Sequence, residues 1–320
     1  MNRFIKTSNS ILSLTLLTLV PFSNFAQSFA PSPGFPETDA IYKDSAVFVA
    51  WATQVIVNRG PMNIQDPSLG NVAFGNESDA LLIADNNVVS LGDGGSAVAT
   101  FTNPIQNGSG PDFAVFENGF ADNYMELAFV EVSSDGINYT RFESVSETPT
   151  DSQIDNFSFS DCRYIYNLAG KYRVYYGTPF DLAELQETEG LDINNITSIR
   201  IIDVVGTIEN DLASFDSQGN AINDPYPTPF ESGGFDLDAI GVIHSAELSI
   251  EELTRNVVVY PNPANDYIHT KGFTAGKKYV VNLMGRIVSE FIGESHNIES
   301  LTNGVYVIRQ GEKNIKFTKN

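Results

Sequence analysis

Apolar residues are arranged in three different ways along the 320-residue chain. The first is a predominantly apolar run from Ile11 to Phe22, behind Arg3 and Lys6 and ahead of the small Ala26. That order reads as a secretory signal peptide over 1–26, and the run is shorter than the ~20 residues of a spanning helix. The second is DSAVFVAWATQVIVNRGP (44–61), where Val47, Phe48, Trp51, Ala52 and Val55 recur at helical spacing. Asp44 or Ser45 can cap it and Gly60-Pro61 stops it, so the pattern predicts a helix with Trp51 turned to the core. The third starts near residue 88: short apolar segments divided by Gly, Asn, Asp and Pro, the signature of strands and turns.

Strands are predicted at 95–101, 112–118, 127–133, 138–143, 171–176, 196–206 and 235–244, with Ser134-Asp135-Gly136 as a hairpin turn. TPFDLAEL (178–185) reads instead as a short helix, with Thr178 and Asp181 in a capping-box pattern and Pro179 at its first position. Many short strands and little helix argue for an all-β fold, a sandwich with one or two short helices. A linker over 248–256 separates this body (27–247) from a second small β unit at 257–320. No later segment is apolar enough to cross a bilayer, so no transmembrane segment is expected in the mature protein.

Charge sharpens the division. Residues 28–250 hold 7 Lys and Arg against 33 Asp and Glu, a net of −26, whereas 251–320 hold 9 against 7. A body this acidic excludes nucleic acid as a partner, because phosphate binding needs a basic footprint. It suits a solvated extracellular surface and hard cations. Cys162 is the only cysteine, so no intramolecular disulfide is possible and the thiol is expected to be buried and inert. No cysteine stands at the cleavage point, so no lipoprotein anchor is expected.

Candidate chemistry rests with the acids. His244 is the one histidine of the body, at a strand end, and His269 and His296 fall in the tail, too few for a triad or a zinc site. GDGG (92–95) precedes no helix and is not a phosphate loop. Asp112, Glu117, Glu131, Asp203, Asp236 and Asp238, by contrast, all lie in or beside apolar strands, where an unpaired carboxylate is costly. Strict alternation along FDLDAIGV (235–242) puts Asp236 and Asp238 on one face with Ile240 and Val242. Arg141, Arg173 and Arg200 cannot pair with all six, whereas calcium takes ~6–8 oxygens and would neutralise several at once. Turns and strand ends are the plainer alternative. In DSQGNAINDP (216–225), Asp216, Asn220 and Asp224 have cation-loop spacing, but Ala221 stands where an EF-hand needs glycine, so Asx turns are expected. Glu117 and Glu131, on neighbouring predicted strands, could also supply the two carboxyls of a glycoside hydrolase.

Two resemblances extend this. VVVYPNPANDYI (257–268), VVNLMGRIV (280–288), LTNGVYVIR (301–309) and the basic ending KFTKN resemble the type A sorting domain of the type IX secretion system. Tyr260, Pro261, Asn262, Pro263, Gly285 and Gly304 carry the motif. The resemblance implies a small Ig-like sandwich, engagement of that machinery and a secreted or outer-surface location. In the body, SLGDGGSAVATF, DFAVFENGF, ELAFVEVSSDG, NLAGKY, IRIIDVVG and GFDLDAIGV resemble a group of bacterial cell-surface proteins. VEVSSDGINY is similar to galactose-binding-like jelly rolls, which implies a jelly-roll-like sandwich, more often binding than catalytic. Jelly rolls bind at rim loops, and two loops are equipped: Asn118, Asp122 and Tyr124 in one, Asp224 and Tyr226 in the other. The reading is a calcium-stabilised module for an extracellular glycan, with a hydrolase and a purely structural surface protein as alternatives.

Overall fold

The computed structural model describes residues 28–209, 211–246, 257–283, 285–311 and 313–320; the signal peptide and the linker expected at 248–256 lie outside the described residues. The chain is all-β. Its body strands are β1 (Ile41–Tyr42), β2 (Ala50–Trp51), β3 (Gln54–Asn58), β4 (Val89–Ser90), β5 (Ser96–Ile105), β6 (Phe113–Glu117) and β7 (Ala128–Ser133). They continue with β8 (Thr140–Arg141), β9 (Val145–Ser146), β10 (Ile165–Tyr166), β11 (Tyr176–Phe180), β12 (Ile196–Asp203) and β13 (Asp236–Val242). One antiparallel sheet has the order β1-β11-β6-β13-β2, with β4 also paired to β13; the other runs β3-β5-β12-β7-β8. β9 and β10 pair separately.

The two sheets share one core. Phe113, Val115, Leu237, Ile240 and Val242 from the first meet Ala97, Ala99, Val130, Val132, Ile199 and Ile201 from the second, all but sealed from solvent. Phe113 stacks on Phe180 at 5.3 Å, and Phe142 closes on both rings.

The helix expected over 44–61 does not form; the segment makes β2 and β3. In β3 the burial alternates, with Val55 inside and Ile56 outside, so a period of two wins over the period near 3.6. Ala52 and Val55 still enter the core, and β-branched residues pack well on a pleated surface. Trp51 packs beside Phe48 and Phe116 at 4.9 and 5.5 Å, partly buried on the other face of the first sheet. The short helix expected at 178–185 divides likewise. Thr178, Pro179 and Phe180 belong to β11, because burying Phe180 against Phe113 outweighs the capping pattern; Asp181 caps only a 3-10 turn at Leu182–Leu185. The strand expected at 171–176 accordingly starts at Tyr176, and the one at 138–143 shrinks to two residues.

FDLDAIGV departs from strict alternation. Leu237 pairs with Glu117 and Ala239 with Phe116, so two steps on β13 match one on β6: a β-bulge. The core members become Leu237, Ile240 and Val242, and Asp236 does not share their face as expected. Phase is shifted by one residue, and the aspartates leave the core.

The tail strands are β14 (Val258–Tyr260), β15 (Tyr267–Lys271), β16 (Lys277–Asn282), β17 (Ile287–Ile292), β18 (Ser295–Asn297), β19 (Gly304–Gln310) and β20 (Lys313–Lys319). They form sheets β14-β15-β18 and β17-β16-β19-β20 around Val259, Ile268, Val280, Ile308 and Phe317. Asn262 in the YPNP segment ties it to β20, its Oδ1 accepting from Thr318 N at 2.9 Å and its Nδ2 donating to Lys316 O. Gly285 turns the β16–β17 hairpin at φ +78°, a conformation that favours glycine. Among the described residues no helix is long and apolar enough to cross a membrane.

Candidate functional site

Four of the six strand carboxylates are occupied by partners within the protein. Glu131 stands on β7 opposite Arg200 of β12 and Arg141 of β8, and both guanidiniums grip it. Asp112 accepts from Gly108 N and Leu182 N, each at 2.7 Å, and meets His244 Nδ1 at 2.8 Å. Asp203 takes Phe235 N at 2.7 Å and Gly94 N at 2.9 Å. Asp238 takes Asp85 N and Asn86 N at 3.0 and 3.2 Å. These acids fasten loops to strands, so the six expected cation ligands do not converge. Glu117 and Glu131 belong to different sheets and are not the neighbouring pair a hydrolase would need.

Glu117 and Asp236 do meet, joined by a residue the sequence reading passed over. One carboxylate oxygen from each of Glu117, Glu126 and Asp236 lies within 4.8 Å of the other two, and all three residues are buried. Glu117 ends β6 opposite Leu237, which brings it beside Asp236 at the start of β13. Glu126 enters just before β7, its carbonyl pressed so close to Gly170 that a Cβ there would stand 1.8 Å away. Its signal was an acid adjoining the apolar run 127–132, as Asp112 adjoins β6.

The surroundings orient the cluster without neutralising it. Ser90 Oγ and Asn118 Nδ2 donate to the two oxygens of Asp236, the latter at 3.2 Å, and Gly119 N donates to Glu117 Oε2 at 2.6 Å. Burial, and then the charge of Asp236, pushes the Glu117 carboxyl well above its usual range. Glu126 is raised by burial and then by Glu117 and Asp236. Burial also lifts Asp236 to about 6. The ion pairs among the described residues include none of these acids.

Above the cluster lies an open cleft of about 590 Å³, with Glu126 and Asp236 on its floor. The two rim loops expected to bind ligand meet here, supplying Asn118 and Tyr124 from one and Thr228 and Phe230 from the other. Three rings stand open around it: Phe120, Phe157 and Phe230 are 69%, 81% and 49% exposed. Phe120 rests on Tyr124 with ring centroids 4.4 Å apart. Burial, and then Glu126, raises the Tyr124 hydroxyl above its usual range, keeping it a proton donor.

The remaining expected ligand residues face elsewhere. Asp122 pairs with Arg173 at 2.8 Å and lines a separate cleft of about 980 Å³. Tyr226 is buried, its hydroxyl donating to Asn63 Oδ1. Asp224 is buried too, accepting from Leu127 N at 3.1 Å, close enough for its charge to act on Glu117 and Glu126. Asp216 is saturated by Ser146 N, Gln218 N, Asn220 N and Asn220 Nδ2, an Asx-turn arrangement.

No curated protein matches the chain. Among solved structures, one titled "Biofilm associated protein - BSP domain" is similar at 10% identity, with 87% of this chain and 53% of that one covered. The chain thus spans about half that structure's length, and the TM-score of 0.17 carries no argument about fold or role. Residues 258–320 match the family model described as "Secretion system C-terminal sorting domain". These are the residues whose motifs resemble the type IX sorting domain, and they mark the chain as a secreted or cell-surface protein exported by that system.

Proposed function

We propose that the exported body is a non-catalytic carbohydrate-binding module and that its ligand occupies the cleft between the two rim loops. The observation that carries this is the exposure of Phe120, Phe157 and Phe230 around one opening. Large apolar rings are rarely left in water together unless something covers them, and flat rings suit the apolar faces of sugars. Asn86, Asn118, Asn156 and Thr228 line the same opening and can both donate to and accept from hydroxyls.

A glycan array probed with the purified chain, with and without calcium, tests the reading. Binding is expected to weaken several-fold in Phe157→Ala and Phe230→Ala, since a packed aromatic contact is worth ~0.5–1.5 kcal/mol beyond the area it buries, or roughly 2–12-fold. Both rings are exposed, so the variants should melt as the parent does. A folded chain that is silent across the array would leave a structural surface protein.

One observation favours a hydrolase as the second reading: Glu126, its carboxyl pushed up by burial and by the charges of Glu117 and Asp236, stands on the floor of an open cleft where it could act as a general acid. Against it, Glu117 is sealed below the floor, and the three carboxyls face one another rather than opposite sides of a scissile bond. Turnover of any glycan, abolished in Glu126→Gln, would establish it.

A further inference from the structure

We infer that Glu117, Glu126 and Asp236 are the ligands of a calcium ion at the floor of the cleft. Two ligands on opposite sides of calcium, each at ~2.4 Å, are ~4.8 Å apart. The three donor oxygens all fall within that span of one another, so an inward movement of a few tenths of an ångström at most brings all three into reach of one ion.

A cluster of acids alone would be a weak argument, but Glu117 adds a second observation. The residue is 1% exposed, and its Oε1, sealed from solvent, has no hydrogen-bond partner. A buried carboxylate oxygen left without a partner loses its hydration for nothing unless a cation or a proton occupies the gap. No lysine or arginine pairs with any of the three among the described residues. The other oxygens are already directed: Ser90 and Asn118 hold Asp236, and Gly119 holds Glu117 Oε2. Such outer hydrogen bonds aim carboxylates at a metal.

Donor chemistry selects the ion. All three ligands are carboxylate oxygens, with no histidine or thiol among them, which suits a hard cation rather than zinc or copper. Calcium tolerates an irregular shell of 6–8 oxygens, whereas magnesium demands a near-ideal octahedron at 2.0–2.1 Å. Glu126 and Asp236 line the cleft, so the remaining positions open toward solvent. Water fills them in the free protein, and a pair of neighbouring sugar hydroxyls can replace two waters on binding. That last step rests on the carbohydrate reading; the cation site does not.

The test is calcium titration of the chelator-stripped full chain by calorimetry, with parallel melting curves. One saturable equivalent is expected, and a concentration of 100 times Kd should raise Tm by about 5–10 °C. Glu126→Gln and Asp236→Asn should each weaken binding at least ~100-fold, more than losing an outer-shell partner does. In chelator the same variants should melt at or above the parent, because each replaces a buried acid that has no cationic partner with a neutral amide. The parent titration stands even if one variant fails to fold. No heat and no change in Tm with calcium would overturn the site, and so would undiminished binding in both variants. Calcium binding without any glycan binding would sink the carbohydrate reading alone.

Discussion

Replacing Glu131 with glutamine removes the anionic centre of a three-strand ion cluster. Glu131 sits on β7 directly across from Arg200 on one side and Arg141 on the other. Arg141 reaches Oε1 through Nη2 at 2.8 Å and Nε at 2.9 Å, and Arg200 donates Nε to Oε2 at 2.6 Å. Each guanidinium also lies 4.1 Å over an aromatic ring, Phe129 for Arg141 and Tyr139 for Arg200, so both are held in place. Breaking a fully buried pair costs ~3–5 kcal/mol because a charge is stranded. Here the carboxylate is 7% exposed but the arginines are 41% and 34% exposed, so the stranded cations recover much of their hydration. The expected loss is therefore about 2–3 kcal/mol, or roughly 5–10 °C in Tm for a domain of this size. Urea unfolding followed by Trp51 fluorescence measures it, in calcium and again in chelator. The loss should be the same in both, since the arginines and not a metal ion hold Glu131. A loss below ~0.5 kcal/mol, or one seen only with calcium, would refute the reasoning.

Three further outcomes are expected. Burial raises the Asp93 carboxyl to about 6, and Ile64 N at 2.8 Å is its only hydrogen-bond donor among the described residues. The folded state then holds a proton that the unfolded state has released between pH ~4 and ~6, so the Asp93 share of stability is present below pH ~4 and lost as pH rises to ~6. Asp93→Asn should flatten that slope and gain up to ~3 kcal/mol at pH 7, read from urea curves across the range; an unchanged slope would count against it. Gly170 has φ +82°, and a methyl there would meet the Glu126 carbonyl at 1.8 Å, so Gly170→Ala should cost more than ~2 kcal/mol in a melt. Deleting 258–320 should leave the body in the periplasm, whereas normal surface display of the truncated chain, detected by protease shaving, would show that the tail is not the export signal.

How far the site was legible depended on which physical variable decided each residue. The export tail could be read directly, because its motif consists of short fixed residue strings, and some of these do local work, as Gly285 does in the β16–β17 hairpin. Asx turns were foreseen at Asp216 because an aspartate followed by amides at short range satisfies itself. Burial of acids beside apolar strands was also foreseen, and Arg141 and Arg200 stood among the possible partners, but not which acid they would hold. Arg200 lies 69 residues from Glu131, and sheet order alone puts them side by side. Tyr226 looked like a rim residue by composition and is held inside by Asn63, 163 positions away.

By itself the sequence determined the all-β class, the acidic body and the sorting tail, since short strands, turn residues and contiguous motifs act locally. Only the tertiary structure decided the rest. A bulge of one residue in β13 turned Asp236 and Asp238 out of the core, and burial of Phe180 against Phe113 made a strand where capping residues favoured a helix. Glu117 and Glu126 flank one loop while Asp236 lies far along the chain, and strand register, which no local pattern encodes, is what sets their oxygens close together.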